Sequence, residues 1–149
     1  MRPAAGGSTL AMNHPANGTA IASRRLHAEN PTMIGPDALA DIYRDLHSNP
    51  ELSFAETRTA GIVADFLNEL GFEVTTGVGG TGVIGILRNG DGATALLRAD
   101  MDALPVREET GLPYASTVTT TDAAGSEVPV MHACGHDVHV TCLLGACAE

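Results

Sequence analysis

The chain has 149 residues and is 44% hydrophobic, with three Phe, two Tyr and no Trp, which allows one ordinary domain with an aliphatic interior. Eighteen acidic against eight basic side chains leave a formal net charge of −10, a surface that repels phosphate backbones and argues against a nucleic-acid partner. No apolar run reaches the roughly 18 residues of a membrane span, so no membrane partner is expected.

Residues 1–35 are rich in Gly, Ala, Ser, Asn and Pro, lack helical or strand period, and are expected to form a poorly ordered extension. No continuous apolar stretch follows Arg24 and Arg25, so a signal peptide is not expected. Asn17-Gly18-Thr19 fits a glycosylation sequon, a triplet common by chance, and Met33 offers an alternative start just before the first convincing helix.

Residues 36–149 then read as the structured part. Pro36 suits an initial helical position, and Leu39, Ile42, Tyr43 and Leu46 follow as one apolar stripe that Asn49-Pro50 ends. Ser53 and Glu56 have capping-box spacing and predict a second helix. Its buried face is Ile62, Val63, Phe66, Leu67 and Leu70, with Gly71 as the carboxy-terminal cap. Strands are predicted over 72–76, 82–88 and 93–99, the last two joined as a hairpin through Asn89-Gly90-Asp91-Gly92. Residues 109–129 are polar, a loop with room for an edge strand. A final helix starts at Asp137 or Val138 and presents Leu143, Leu144 and Cys147. The class is α/β, a mixed sheet flanked by helices.

Gly77-Val78-Gly79-Gly80-Thr81-Gly82 invites a phosphate-binding reading, but that loop needs a helix after it, and Val83, Ile84, Ile86 and Leu87 are strand-like. A turn is the better reading. Asp100 and Asp102 close an apolar strand, and residues two apart on a strand share a face, so both carboxylates project together. Such like charges repel unless a cation or a protonated partner lies between them; alone, the pair equally suits a turn or cap. The segment from Met131 to His139 packs three histidines, a thiol and a carboxylate into nine residues. Cys134 and His136 are favoured ligand types for zinc and related metals, and Gly135 between them lets the backbone turn so that both can meet one ion. Asp137 either supports a ligand or caps the following helix, and His132 is either a ligand or a satisfied loop histidine. The Cys-x-x-Cys pairs of a structural zinc site are missing. Cys134, Cys142 and Cys147, an odd count in one short segment, are no disulfide framework and point to a reducing, cytoplasmic compartment.

Leu-Arg-Ala-Asp-Met-Asp-Ala-Leu-Pro (97–105) and Met-His-Ala-Cys-Gly-His-Asp-Val-His (131–139), in this order, resemble the paired signature of the M20 metal-dependent amidohydrolases, the family of hippurate, N-acyl-amino-acid and auxin-conjugate hydrolases. The stretches 45–54 and 108–114 match the family too, so the resemblance runs from about Asp37 to the end. It implies that Cys134 and His136 are metal ligands, that Asp102 orients the site with Asp100 beside it, and that His139 lies close by in an uncertain role. It further implies two divalent ions (Zn, Mn, Co or Ni), a glutamate general base, and hydrolysis of a small N-acyl amino acid or peptide-like amide by metal-activated water. The family's Glu-Glu pair, later histidines and lid domain have no counterpart here, and Glu149 lacks their context. The expectation is thus an amino-terminal part of such an enzyme, inactive as an isolated chain, whose full-length form is a homo-oligomer. The alternative is a non-catalytic metal-binding or interaction remnant of the same fold.

Overall fold

A computed structural model describes residues 34–149. The expected extension, with its sequon and arginine pair, falls on 1–35 and lies, up to residue 33, outside the described residues. Three helices and two small antiparallel sheets follow: α1 (Pro36–Ser48), α2 (Thr57–Glu69), β1 (Glu73–Val78), β2 (Gly82–Ile86), β3 (Thr119–Thr121), β4 (Glu127–Pro129) and α3 (His136–Cys147). No helix among the described residues is long and apolar enough to cross a membrane.

Helix α1 begins at the predicted proline, with Asp37 in its first turn where the helix dipole favours an acid. The start of α2 differs from expectation. Its amino-terminal N–H groups are met by Glu51, whose carboxylate accepts from Arg58 and Thr59 at 2.9 and 2.7 Å. Ser53 and Glu56 form no capping box: the Ser53 hydroxyl donates to Asp102 at 2.6 Å, and buried Glu56 accepts from Thr81. The other end behaves as read. Gly71 (φ +83°) donates to Asn68 and Phe72 to Leu67, the paired bonds that close a helix on a left-handed residue.

Leu46 of α1, Val63 and Leu67 of α2, and Val140 and Leu144 of α3 form one core, each contributing roughly 1.5–3 kcal/mol by burial. Leu39 near the start of α1 meets Gly145 near the end of α3, where an added Cβ would lie 3.0 Å from Leu39 Cδ1. His47 at the end of α1 meets Asp137 at the start of α3, so the two helices run antiparallel. Strands β1 and β2 pair from Glu73↔Ile86 to Val78↔Gly82, with an irregularity after Thr76, and the glycine-rich segment is their turn, not a helix-bound cradle. Strands β3 and β4 make a second hairpin, whose turn is held by Asp122 accepting from the N–H groups of Ala124 and Ser126.

The strand expected over 93–99 is absent, and so is its hairpin with β2. Residues 90–92 bend, but 93–98 stay exposed without a ladder partner among the described residues, and Leu96 is 88% exposed. A strand exists only by pairing, and β1 on one edge of β2 is the pairing observed. What holds the end of this segment is a splice. Ala103 N–H donates to Glu51 O at 2.7 Å, and Leu104 exchanges two backbone bonds of 3.0 Å with Met131.

Candidate metal centre

That splice explains the site. Pairing of Leu104 with Met131 lays the Asp100–Asp102 segment beside the 131–136 loop, and pairing of Ala103 with Leu52 brings Ser53 to the other side of Asp102. Gly135, at φ +74° and ψ 23°, is the residue before α3. The left-handed turn, open to glycine without steric cost, launches the helix from His136 immediately after the loop carrying Cys134.

His136 lies between the two carboxylates. Its Nδ1 is 2.9 Å from Asp102 O and 3.0 Å from Asp102 Oδ1, and its Nε2 is 3.9 Å from Asp100 Oδ2. Both partners of Nδ1 are acceptors, so Nδ1 carries the proton. The ring of the neutral imidazole is thereby held in the tautomer whose Nε2 lone pair faces outward, the arrangement by which carboxylate–histidine pairs present a nitrogen to a metal. Asp102 is fixed in turn by Ser53. That hydroxyl holds its carboxyl below the ordinary range, against the opposing effect of burial, and the hydrogen bond from His136 works in the same direction. The pair that looked repulsive in sequence has an imidazole between its members, and Arg98 also pairs with Asp100.

The remaining predicted residues divide. Cys134 is an exposed free thiol. His139 is exposed, its ring 5.7 Å from that of His136 and tilted by 32°. His132 is 5% exposed with neither ring nitrogen bonded, and burial holds it below the ordinary histidine range. Asp137 points away from this group: Oδ1 accepts the Val138 N–H at 2.9 Å, and Oδ2 lies 2.6 Å from His47 Nδ1. It therefore meets one N–H in the first turn of α3 and anchors that helix to α1. Among the described residues, no group of three or more His, Cys, Asp or Glu stands ready to hold a metal ion.

His47 and Glu108 were not singled out as site residues. His47 Nε2 is 3.1 Å from Glu108 Oε1, and side-chain exposures are 7% and 0%. Glu108 also accepts from the Thr110 hydroxyl and the Ser116 N–H. Two ionised carboxylates can only accept, so both ring nitrogens of His47 carry protons and the ring is an imidazolium. Burial works against that charge, but the bonds to Asp137 and Glu108 and their charges raise His47 above its ordinary value. Burial likewise works against the Glu108 carboxylate, and bonds from Thr110, Ser116 and His47 bring it below its ordinary value. The signal was available: His47 is one turn beyond Tyr43 on the apolar stripe, and the Tyr43 and Tyr114 rings both lie 5.5 Å from the imidazole.

The sequence of this region matches that of a known group of proteins. The sequence profile of Peptidase family M20/M25/M40 matches residues 96–148, which include both the Asp100–Asp102 and the Cys134–His139 segments. The chain belongs to the M20 family. Hippurate hydrolase of Campylobacter jejuni is 49% identical over 104 residues, covering 69% of this chain and 25% of that one. In the solved structures, the Bacillus subtilis YXEP protein, described as a dinuclear metal-binding peptidase of the M20 family, superposes with a TM-score of 0.62 at 40% identity. That match covers 73% of this chain and 28% of the other. A protein named glutamate–cysteine ligase 2-3 from Rhodococcus jostii is 47% identical over 115 residues, which are 13% of its length, so most of that chain has no counterpart here. The chain thus spans about a quarter or less of the length of these M20 relatives and of the ligase-named protein.

Proposed function

We propose that this chain supplies part of the metal centre of an amidohydrolase acting on small N-acyl amino acids or peptide-like amides. The carrying observation is the hold of Asp102 on His136 Nδ1, which leaves Nε2 free one glycine away from the exposed thiol of Cys134. Soft thiolate and borderline imidazole fit zinc, cobalt or nickel, with manganese the weakest binder of the four, and a two-ion site follows the relative described as dinuclear. When bound, the metal lowers the pKa of a water and polarises the scissile carbonyl.

The residues of this chain have separate tasks in that scheme. Cys134 and His136 hold the ion, Asp102 fixes the imidazole tautomer, Ser53 fixes Asp102, and Asp100 adds negative charge beside Nε2. His139 stands next to His136 without a bond of its own. The general-base glutamate and the remaining ligands come from residues other than those described, so the chain alone binds metal weakly and hydrolyses nothing. The site belongs to a reducing cytoplasmic compartment, where the thiol stays free, and the complete enzyme is a homo-oligomer.

Cobalt(II) titration of the 149-residue chain tests this reading, because a thiolate ligand gives a charge-transfer band. We expect a band that strengthens as pH rises and the thiol loses its proton. Cys134→Ser abolishes it, His136→Gln weakens it strongly, and hippurate is not cleaved. A band unchanged in Cys134→Ser would sink the assignment.

A further inference from the structure

We propose that His47 is a positioning residue for the metal centre, clamping the first turn of α3, and with it the Cys134–Gly135–His136 turn, against α1 and the 108–116 loop. The inference rests on the metal reading above but concerns residues outside the proposed ligand set.

Three observations carry it. His47 bonds at both nitrogens, to Asp137 Oδ2 at 2.6 Å and Glu108 Oε1 at 3.1 Å, and so joins segments 90 and 61 residues away in sequence. Asp137 directly follows His136, and its other oxygen holds the Val138 N–H, so a shift of this carboxylate moves the backbone that carries the imidazole. Val140 and Leu144 hold α3 through the core and Gly145 approaches Leu39 at its far end, while the first turn, ahead of Val140, is tied to α1 through the polar contact of Asp137. His136 sits in that turn and keeps Nδ1 within 3.0 Å of Asp102. The His47 ring, bonded to Asp137 and Glu108, adds to the core packing a polar anchor one residue from His136.

The test uses the 149-residue chain with three variants. An Asn amide nitrogen falls near the position of Nδ1, and a Gln amide nitrogen near Nε2. His47→Asn therefore keeps a donor for Asp137, His47→Gln keeps one for Glu108, and His47→Leu keeps neither. Cobalt(II) affinity and thermal midpoint are read for each, with the tautomer of His136 by long-range ¹H–¹⁵N NMR in the absence of metal. We expect His47→Asn to stay within about threefold of the parent affinity, and His47→Gln and His47→Leu to lose roughly 10–100-fold, the range of outer partners of metal ligands. His47→Asn and His47→Gln are expected to melt within a few degrees of each other. Equal affinity losses in those two variants, or parent-like affinity in His47→Leu, overturn the proposal. If His47→Leu fails to fold, the Asn–Gln difference decides. If the parent chain shows no Cys134-dependent cobalt band, the metal reading fails by itself. The NMR signal then decides positioning: a defined Nδ1–H tautomer in the parent and His47→Asn but not in His47→Gln supports it, and one kept in His47→Gln overturns it.

Discussion

Among the described residues, two imidazoles each lie between two carboxylates, and they are built for opposite ends. His47 is buried, bonded at both nitrogens, and has no lone pair to offer. His136 is bonded at one nitrogen only, is partly open to solvent, and has its second carboxylate beyond hydrogen-bond reach. The same pair of residue types thus makes a closed strut in one place and an open ligand in the other. The difference is the distance and burial of the second carboxylate, not composition.

Breaking the strut has the largest expected effect. His47→Leu leaves two buried carboxylates facing each other across an apolar side chain, and we expect a loss of about 3–5 kcal/mol in urea denaturation. His136→Leu, at the more open site where Ser53 still bonds Asp102, is expected to cost less, about 1–2 kcal/mol. Equal losses would erase the distinction. Next in size is Asp102→Asn, which removes the carboxylate from Nδ1 while the backbone carbonyl of residue 102 still accepts there. Cobalt affinity is expected to fall by about tenfold or more with the urea midpoint almost unmoved.

The same contrast appears in pH dependence. His47 is raised above its ordinary 6.5, so its contribution is complete below that value and is lost as pH rises through the higher folded value. Glu108 and Asp102 are lowered from 4.5 and 3.8, so theirs is present above those values and is lost as pH falls through the lower folded ones. His132 is lowered from 6.5, and stability falls with acidification from that point as the unfolded chain takes up the proton first. Stability is therefore expected to peak near pH 6.5. In His47→Gln the loss above pH 6.5 is expected to flatten, while the acid limb survives; an unchanged alkaline limb in urea midpoints would contradict the imidazolium assignment. The smallest expected effect is that of His139→Ala. Its exposed ring contacts His136 only face to tilted face, and cobalt affinity is expected to change by less than about threefold.

Much of this was legible in the residues. The stripe of α1, the cap at Gly71 and the turn at 77–82 follow from local period and glycine placement, and the structure has all three. The ligand-type cluster at 131–139 was visible because metal chemistry restricts residue types. Long-range partners were not legible. Ser53 and Glu56 satisfy the capping rule in sequence, but Glu51 reaches the same N–H groups, and the Ser53 hydroxyl is taken by a carboxylate 49 residues away. The strand expected over 93–99 failed for a related reason: an apolar run specifies a preference for pairing, and its neighbour is decided elsewhere. Asp137 has two roles open to it in sequence, and its bond to His47, 90 residues earlier, could not be read from the local pattern.

The splice at Ala103–Leu104 sets an order of events as well as a shape. The helix caps and the β1–β2 hairpin close over short loops, whereas Ser53–Asp102 and Asp102–His136 close loops of 49 and 34 residues. Loop closure must precede the contacts that reward it, so nonlocal pairings form slowly compared with helices. The ligand geometry is then among the last features to appear when the chain refolds. In a stopped-flow experiment the cobalt–thiolate band should lag the helical circular-dichroism signal, making the metal a reporter of the final stage of folding.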